Sequence, residues 1–157
     1  MALEFLEQQS NLEVMIVPVS GGGLLGGIAL AARAVSPGIE ICGAEPEQAD
    51  DAARSLREGR LQPARSGETV ADGLRASLCE RTFSIIREHV RDIFVVSEDE
   101  IVRAMHLVWE RMKIVIEPSS AVPLAAVLKH KQHFRGRRVG IVLSGGNVDL
   151  EKLPWTK

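Results

Sequence analysis

The residues best placed to do chemistry are the glycines of residues 20–27, Ser-Gly-Gly-Gly-Leu-Leu-Gly-Gly, which follow one apolar run and open another. Glycine has no Cβ, so an anion can closely approach the main-chain amides of Gly21, Gly22, Gly23 and Leu24. The helix that begins there adds the positive end of its dipole. The stretch predicts a phosphate-binding turn; a tight turn packed against a neighbouring element is the alternative.

A second glycine turn, Ser144-Gly145-Gly146-Asn147, follows the last apolar run of the chain. Ligands in open α/β sheets bind at the carboxyl ends of the strands, so we expect the two turns to border one crevice. A small phosphorylated cofactor lying across a crevice needs protein groups at both of its ends. Taken alone, Ser144 is equally well explained as an ordinary turn serine.

The first turn also satisfies the GxGxxG pattern of dinucleotide-binding domains, at Gly21, Gly23 and Gly26. Glu45 follows about twenty residues later, where such domains place the acid that binds a ribose. A nucleotide-binding module is therefore an alternative function.

These turns need a parallel sheet to position them. Apolar and β-branched runs predict strands, and segments of helical periodicity lie between them. The predicted strands are residues 14–19, 39–44, 93–96 and 138–143, and the predicted helices are residues 2–9, 24–35, 50–58, 80–90, 97–112 and 117–130. This alternation predicts an α/β fold with a mostly parallel sheet and helices on both faces, as a single domain over residues 1–157.

Composition excludes several classes of function. Basic and acidic side chains number 19 and 21, for a net charge of −2, and no basic block is interleaved with aromatics, so nucleic acid is not an expected partner. No run approaches the ~18 apolar residues of a membrane span. Cys42 and Cys79 lack the spacing of a disulfide or zinc site. We expect a cytoplasmic protein with reduced thiols.

Six motifs carry a resemblance to a known family. They are VPVSGGGL (residues 17–24), AEP (44–46), ADG (71–73), WERMK (109–113), IEPS (116–119) and LSGGNVD (143–149). In this order they resemble the C-terminal half of the serine racemase and serine/threonine dehydratase family, which are fold-type II pyridoxal-phosphate enzymes. The resemblance covers essentially the whole chain and implies the C-terminal part of that fold's large domain.

The resemblance implies a set of contacts to pyridoxal 5′-phosphate. Four residues match the loop around the cofactor phosphate, and three match positions near its ring. The phosphate set is Gly21, Gly22, Gly23 and Leu24; the ring set is Gly73, Glu117 and Ser144, with the Ser144 hydroxyl facing the pyridine nitrogen. Without the resemblance, Glu117 is more simply an acid stabilised by a helix N-terminus.

The resemblance also implies a divalent-cation site made by Glu45, the carbonyl of Ala49 and Asp51. Such hard oxygen ligands suit Mg²⁺ or Ca²⁺, although acids at a helix start are more often solvated caps. Lys113 and Asn147 match positions that contact an effector nucleotide such as ATP at the subunit interface of a homodimer. Lys113 is also explained as a cation favoured at a helix C-terminus.

Family members are about twice as long, and their Schiff-base lysine lies in the other half. None of the five lysines here sits in that motif, so we expect a fragment or one piece of a split protein, inactive without the missing N-terminal half. In the whole enzyme the lysine is expected to abstract the Cα proton of serine or threonine. For serine, reprotonation then gives racemisation, and loss of β-hydroxide gives pyruvate and ammonia. A non-catalytic assembly partner is the other alternative.

Overall fold

The centre of the chain is a four-stranded parallel sheet. In this computed structural model, which describes residues 1–65 and 67–156, the strands are β1 (Val14–Pro18), β2 (Glu40–Pro46), β3 (Asp92–Val96) and β4 (Val139–Ile141). They lie in the order β3-β2-β1-β4, and every pairing is parallel. All strands therefore end at the same edge of the sheet.

Helices connect the strands and cover both faces of the sheet. They are α1 (Ala2–Gln8), α2 (Gly23–Val35), α3 (Asp51–Glu58), α4 (Glu80–His89), α5 (Glu98–Met112), α6 (Pro118–Lys129) and α7 (Lys131–Phe134), with 3₁₀ turns at Glu47–Ala49 and Asp72–Leu74. The longest, α5, has 15 residues. Among the described residues, no helix is long and apolar enough to cross a membrane.

Alternating side chains of the strands build two apolar cores. Met15 and Val17 of β1 face α1–α4, whereas Val14 and Ile16 face α5–α7, and all four are fully buried. Side chains of a strand point alternately to the two faces, so a strand with helices on both faces is apolar throughout. The predicted α/β class with helices on both faces is confirmed.

The ends of several helices follow from local residues. Ser97 and Glu100 form a reciprocal cap at the start of α5, with Glu100 N donating to Ser97 Oγ (3.4 Å) and Ser97 N donating to Glu100 Oε2 (2.8 Å). Gly59 ends α3 with φ 70°, in the left-handed region that glycine adopts most easily. The short helix α7, by contrast, was not predicted as a separate element.

The last strand is shorter than the sequence predicts. β4 ends at Ile141, although Val142 N still donates to Ile16 O (3.1 Å). The next bond of a parallel ladder would need an N–H at residue 18, and Pro18 has none. The chain therefore leaves the sheet just before the Ser144 turn.

The side of the sheet that faces α1–α4 is tightly packed around Gly43, and a substitution there tests this packing. A Cβ at Gly43 would lie 2.7 Å from Val19 Cγ2 and 3.0 Å from Ile93 Cγ1. We expect Gly43→Ala to lower the free energy of unfolding by about 1–3 kcal/mol in urea denaturation. Gly38→Ala, whose Cβ would meet nothing within 4 Å, is the control; equal stability of the two variants would contradict the packing described.

Candidate functional site

A cavity of about 190 Å³ lies between the turns that follow β1 and β4. The two turns meet because β4 pairs directly with β1. The lining residues are Pro18, Ser20, Gly21, Gly22, Gly23, Leu24, Leu25, Gly73, Leu74, Glu117, Ser119 and Ser144. The expectation of one shared crevice is confirmed, and all seven residues predicted to contact the cofactor line it. Their roles toward a ligand remain predictions.

The phosphate end of this cavity is a row of main-chain donors. The N–H groups of residues 21–25 donate to no acceptor among the described residues, and the first helical bond is Gly26 N to Gly22 O (2.9 Å). No side chain caps the N-terminus of α2. Unsatisfied amides at the positive end of a helix dipole are a ready anion site, so the turn fits a phosphate group.

Gly22 is the position at which only glycine fits. Its φ is +83°, and a Cβ there would lie 2.7 Å from Leu78 Cδ2 and 2.8 Å from Thr82 Cβ. The start of α4 therefore packs directly under the turn. This packing holds the amides toward the cavity.

At the opposite end of the cavity, Glu117 forms hydrogen bonds that hold the second glycine turn in place. Its carboxylate Oε2 accepts from Asn147 N (3.1 Å), and its own N–H donates to Gly145 O (3.2 Å). The second glycine turn is thus tied to the N-terminus of α6. The alternative of a helix N-terminal acid describes the location of Glu117, which precedes Pro118, the first residue of α6.

Two serines without a predicted role, Ser119 and Ser120, complete this end. Ser119 Oγ accepts from Gly73 N (3.1 Å), which places Gly73 at the cavity. Ser120 Oγ lies 2.7 Å from both Gly145 N and Gly145 O, and 3.3 Å from Ser144 Oγ. Both serines directly follow the recognised helix start at Glu117-Pro118, which is the signal that could have identified them.

The predicted cation ligands occupy the carboxyl end of β2. Glu45 and Asp51 are 1% and 3% exposed. Glu45 accepts from Ala52 N (3.2 Å) and Ala53 N (2.8 Å), and Asp51 accepts from Leu78 N (3.1 Å). The Glu45 carboxylate thus acts as a cap for α3, but from a buried position instead of a solvated one.

Burial disfavours the charged form of both carboxyl groups. Burial, together with the charge of Asp51, raises the pKa of Glu45 to about 8, against the lowering effect of the two amides. Burial also raises the pKa of Asp51. Among the described residues, neither forms a salt bridge, since Arg54 and Arg65 both pair with Asp50.

Ala49 supplies the third predicted ligand. It ends the 3₁₀ turn just before α3, and its carbonyl accepts no hydrogen bond within the described part of the chain. Two buried carboxyl groups and a main-chain carbonyl are the type of hard oxygen donor that Mg²⁺ and Ca²⁺ prefer. The residues therefore fit a divalent cation.

Lys113 and Asn147 lie away from the cavity lining. Both are exposed, and Lys113 ends α5 with φ 59°. Within residues 1–65 and 67–156, neither side chain makes a hydrogen bond or salt bridge. Their predicted role toward a nucleotide effector is untested.

Comparison with known proteins decides the family. The sequence model described as "Pyridoxal-phosphate dependent enzyme" matches residues 1–145. The chain belongs to this family. It is 46% identical over 154 residues to a beta-hydroxyaspartate dehydratase of Paracoccus denitrificans, covering 98% of this chain and 49% of that protein. It is 49% identical over 158 residues to a serine racemase of Dictyostelium discoideum, covering 97% and 48%.

Solved structures of this pyridoxal-phosphate family share the fold. Maize serine racemase matches with a TM-score of 0.91 and 46% identity, over 95% of this chain and 48% of that one. The chain spans about half the length of the curated relatives it matches. The predicted family and the half-length match are both confirmed.

The dinucleotide alternative depends on Glu45 reaching a ribose. In the structure both oxygens of Glu45 accept amides of α3, and the residue is 1% exposed. Glu45 is also not among the residues that line the cavity at the glycine turn, so it is not placed to bind the ribose of a nucleotide whose phosphate occupies that turn. The geometry of the second strand end therefore does not favour a dinucleotide.

Gly22→Ala tests the anion-binding turn. We expect the left-handed φ and the contacts with Leu78 and Thr82 to lower stability by about 1–3 kcal/mol, and inorganic phosphate no longer to raise the melting temperature. Gly27→Ala in α2, where a Cβ would meet nothing within 4 Å, should retain the phosphate response and gain about 0.5–1 kcal/mol of stability. Equal phosphate responses in both variants would contradict the assignment.

Proposed function

We propose that this chain is the C-terminal half of a pyridoxal-phosphate-dependent serine racemase or serine/threonine dehydratase. The observation that carries the proposal is the convergence on one cavity of the seven residues that resemble cofactor contacts. Three separate loops and the start of α6 bring these residues together. A glycine turn with a purely structural role would not need the other loops to meet it at one cavity. The substrates of the relatives support a β-hydroxy amino acid such as serine or threonine.

Each part of the cavity has its own proposed task. The amides of residues 21–24 hold the cofactor phosphate, and the Ser144 hydroxyl faces the ring nitrogen. Gly73 and Glu117 flank the ring. The cofactor, when bound, supplies an electron sink for the negative charge that develops at Cα. Ser144 as a neutral partner leaves the ring nitrogen unprotonated, so this sink is weaker than one paired with a carboxylate.

The proton-transferring lysine is proposed to come from the missing N-terminal half. None of the residues that line the cavity is a lysine, and the relatives carry about as much sequence again outside the matched region. The same observation favours a second candidate function, that of a non-catalytic assembly partner which keeps the fold. The two candidates differ in whether a complete complex turns over substrate.

A groove beside β4 is the proposed docking site for the N-terminal half. β4 forms one edge of the four-stranded sheet, and an apolar groove of about 390 Å³ runs beside it. The lining includes Phe5, Leu12, Val108, Met112, Leu124, Val139, Ile141 and Leu143. A strand edge with an adjoining apolar groove suits a further strand or helix of the same enzyme.

Two finer parts of the proposal, a homodimeric assembly and an effector nucleotide such as ATP at Lys113 and Asn147, rest on the resemblance alone. A cytoplasmic location is proposed from composition.

Reconstitution with the other half tests the proposed activity. We expect co-expression with the N-terminal half of a relative to give a complex that changes the visible spectrum of added pyridoxal phosphate and forms pyruvate from L-serine. Ser144→Ala should lower turnover by about tenfold to a hundredfold through loss of one hydrogen bond of ~1–3 kcal/mol. Ser84→Ala, outside the cavity, is the matched control.

The outcomes of reconstitution separate the candidates. A folded complex that perturbs the cofactor spectrum but stays inactive on L-serine, L-threonine and 3-hydroxyaspartate would favour the assembly partner. An unperturbed spectrum together with saturable NAD binding would instead favour the nucleotide module.

We also propose that Glu45, Asp51 and the Ala49 carbonyl bind Mg²⁺ or Ca²⁺. The burial of two carboxyl groups that form no salt bridge among the described residues supports this assignment, since a cation would offset the cost of ionising both. Such a cation would link the end of β2 to the start of α3. It would also fix the contact of Asp51 with Leu78, which lies under the phosphate turn.

The raised pKa of Glu45 predicts how pH affects cation binding. Between about pH 4.5 and 8 the folded chain holds a proton on Glu45 that the unfolded chain has released, so stability without cation falls as pH rises across this window. Binding Mg²⁺ expels that proton, and affinity should rise by up to about tenfold per pH unit below pH 8. Titration calorimetry in buffers of different ionisation enthalpy measures the proton release, and urea denaturation at several pH values measures the stability.

Glu45→Gln should remove the pH dependence and most of the stabilisation by Mg²⁺. Glu47→Gln, an exposed acid in the adjacent 3₁₀ turn, should retain both. Magnesium binding without proton release in the unaltered chain would refute the role of Glu45.

A further inference from the structure

Three side chains with metal-binding atoms meet on the face of the sheet opposite to Glu45. Glu40 and Cys42 are two residues apart in β2 and so point to the same face, and His133 approaches from α7. His133 Nε2 lies 3.0 Å from Glu40 Oε1, and Cys42 Sγ lies 3.5 Å from the same oxygen. The ligand atoms all lie within 4.8 Å of one another.

The three side chains are held in place by their neighbours. The His133 ring packs edge-on against the rings of Phe94 and Phe134. The distances between ring centroids are 5.1 Å and 4.8 Å. Arg137 donates to Glu40 Oε2 (3.1 Å), which leaves Oε1 facing the thiol and the imidazole. Partners that orient ligand side chains in this way are the usual surroundings of a metal site.

We propose that Glu40, Cys42 and His133 form a binding site for a thiophilic divalent cation, for which Zn²⁺ is the best match. Sulfur, imidazole nitrogen and carboxylate oxygen together form the donor set that zinc prefers over the oxygen-only set of Mg²⁺ and Ca²⁺. The site is therefore chemically different from that of Glu45 and Asp51.

The approach to this site is from the side of Glu40 and His133. Their side chains are 23% and 35% exposed, whereas Cys42 is fully buried. Three protein ligands leave a fourth position of a tetrahedral ion directed to solvent. The ion would join the start of β2 to the segment that leads into β4.

Binding requires a proton to leave Cys42. Burial and the charges of Glu40 and Asp92 raise the pKa of this thiol to about 12, against the lowering effect of Arg137. The incoming cation reverses this balance: a metal–sulfur bond forms, the S–H bond breaks and the proton goes to solvent. His133 binds as neutral imidazole in place of its bond to Glu40. Affinity therefore rises with pH.

Cobalt(II) is the probe that tests this site in the full chain. We expect one equivalent of Co²⁺ to produce a thiolate-to-metal charge-transfer band, and Zn²⁺ to abolish it by displacement. The band reports only on sulfur ligands, so metal at Glu45 and Asp51 does not contribute to it. Glu45→Gln should therefore leave the band unchanged.

Variants identify the ligands. Cys42→Ser should eliminate the band, and His133→Gln should weaken Co²⁺ binding at least tenfold. Cys79→Ser, which removes the exposed thiol, and His106→Gln, which alters an exposed histidine elsewhere, should have no effect.

Two results would overturn the proposal. One is the absence of a band in the unaltered chain, and the other is a band that disappears in Cys79→Ser but persists in His133→Gln. Far-UV circular dichroism checks folding, and if the buried Cys42→Ser does not fold, the part-exposed His133→Gln decides the outcome.

Discussion

The parallel pairing of β4 with β1 is the constraint on which the candidate site depends. It joins Val14–Ile16 to Val139–Ile141, from opposite ends of the sequence. Because both strands run the same way, the glycine turn after β1 and the Ser144 turn after β4 emerge side by side. Glu117 then ties the Ser144 turn to the N-terminus of α6 by bonding to Gly145 and Asn147. An antiparallel β4 would carry Ser144 to the far edge of the sheet.

Two helices, α2 and α3, begin near this edge, and each has main-chain amides at its N-terminus that need an acceptor. The two helices differ in where that acceptor comes from. The amides at the start of α3 are satisfied by the chain's own Glu45. Those at the start of α2 find no partner among the described residues. A helix N-terminus that is capped internally contributes to the fold, whereas one left open at a cavity is available to a ligand. The contrast distinguishes a structural helix start from a binding one within a single chain.

Much of the architecture could be predicted because it depends on residues that are close together in the sequence. The Ser97 cap, the glycine that ends α3 and the buried strands all act over a few positions. The cofactor residues could be named from motifs, although only the fold brings Gly73 to Ser119. The meeting of His133 with Glu40 and Cys42 could not be predicted, since it depends on packing between segments about ninety residues apart. The early end of β4 depends similarly on Pro18 in a different strand.

The two edge strands of the sheet, β3 and β4, differ in how open they are to pairing with a further strand. At β3, Lys129 donates to the Val95 carbonyl (3.1 Å), so a charged side chain lies against this strand near its end. Charged residues, and lysine above all, discourage unwanted strand pairing. At β4 the groove offers apolar side chains beside the backbone. The β4 edge is therefore open to a further strand, whereas a charged side chain protects the β3 edge.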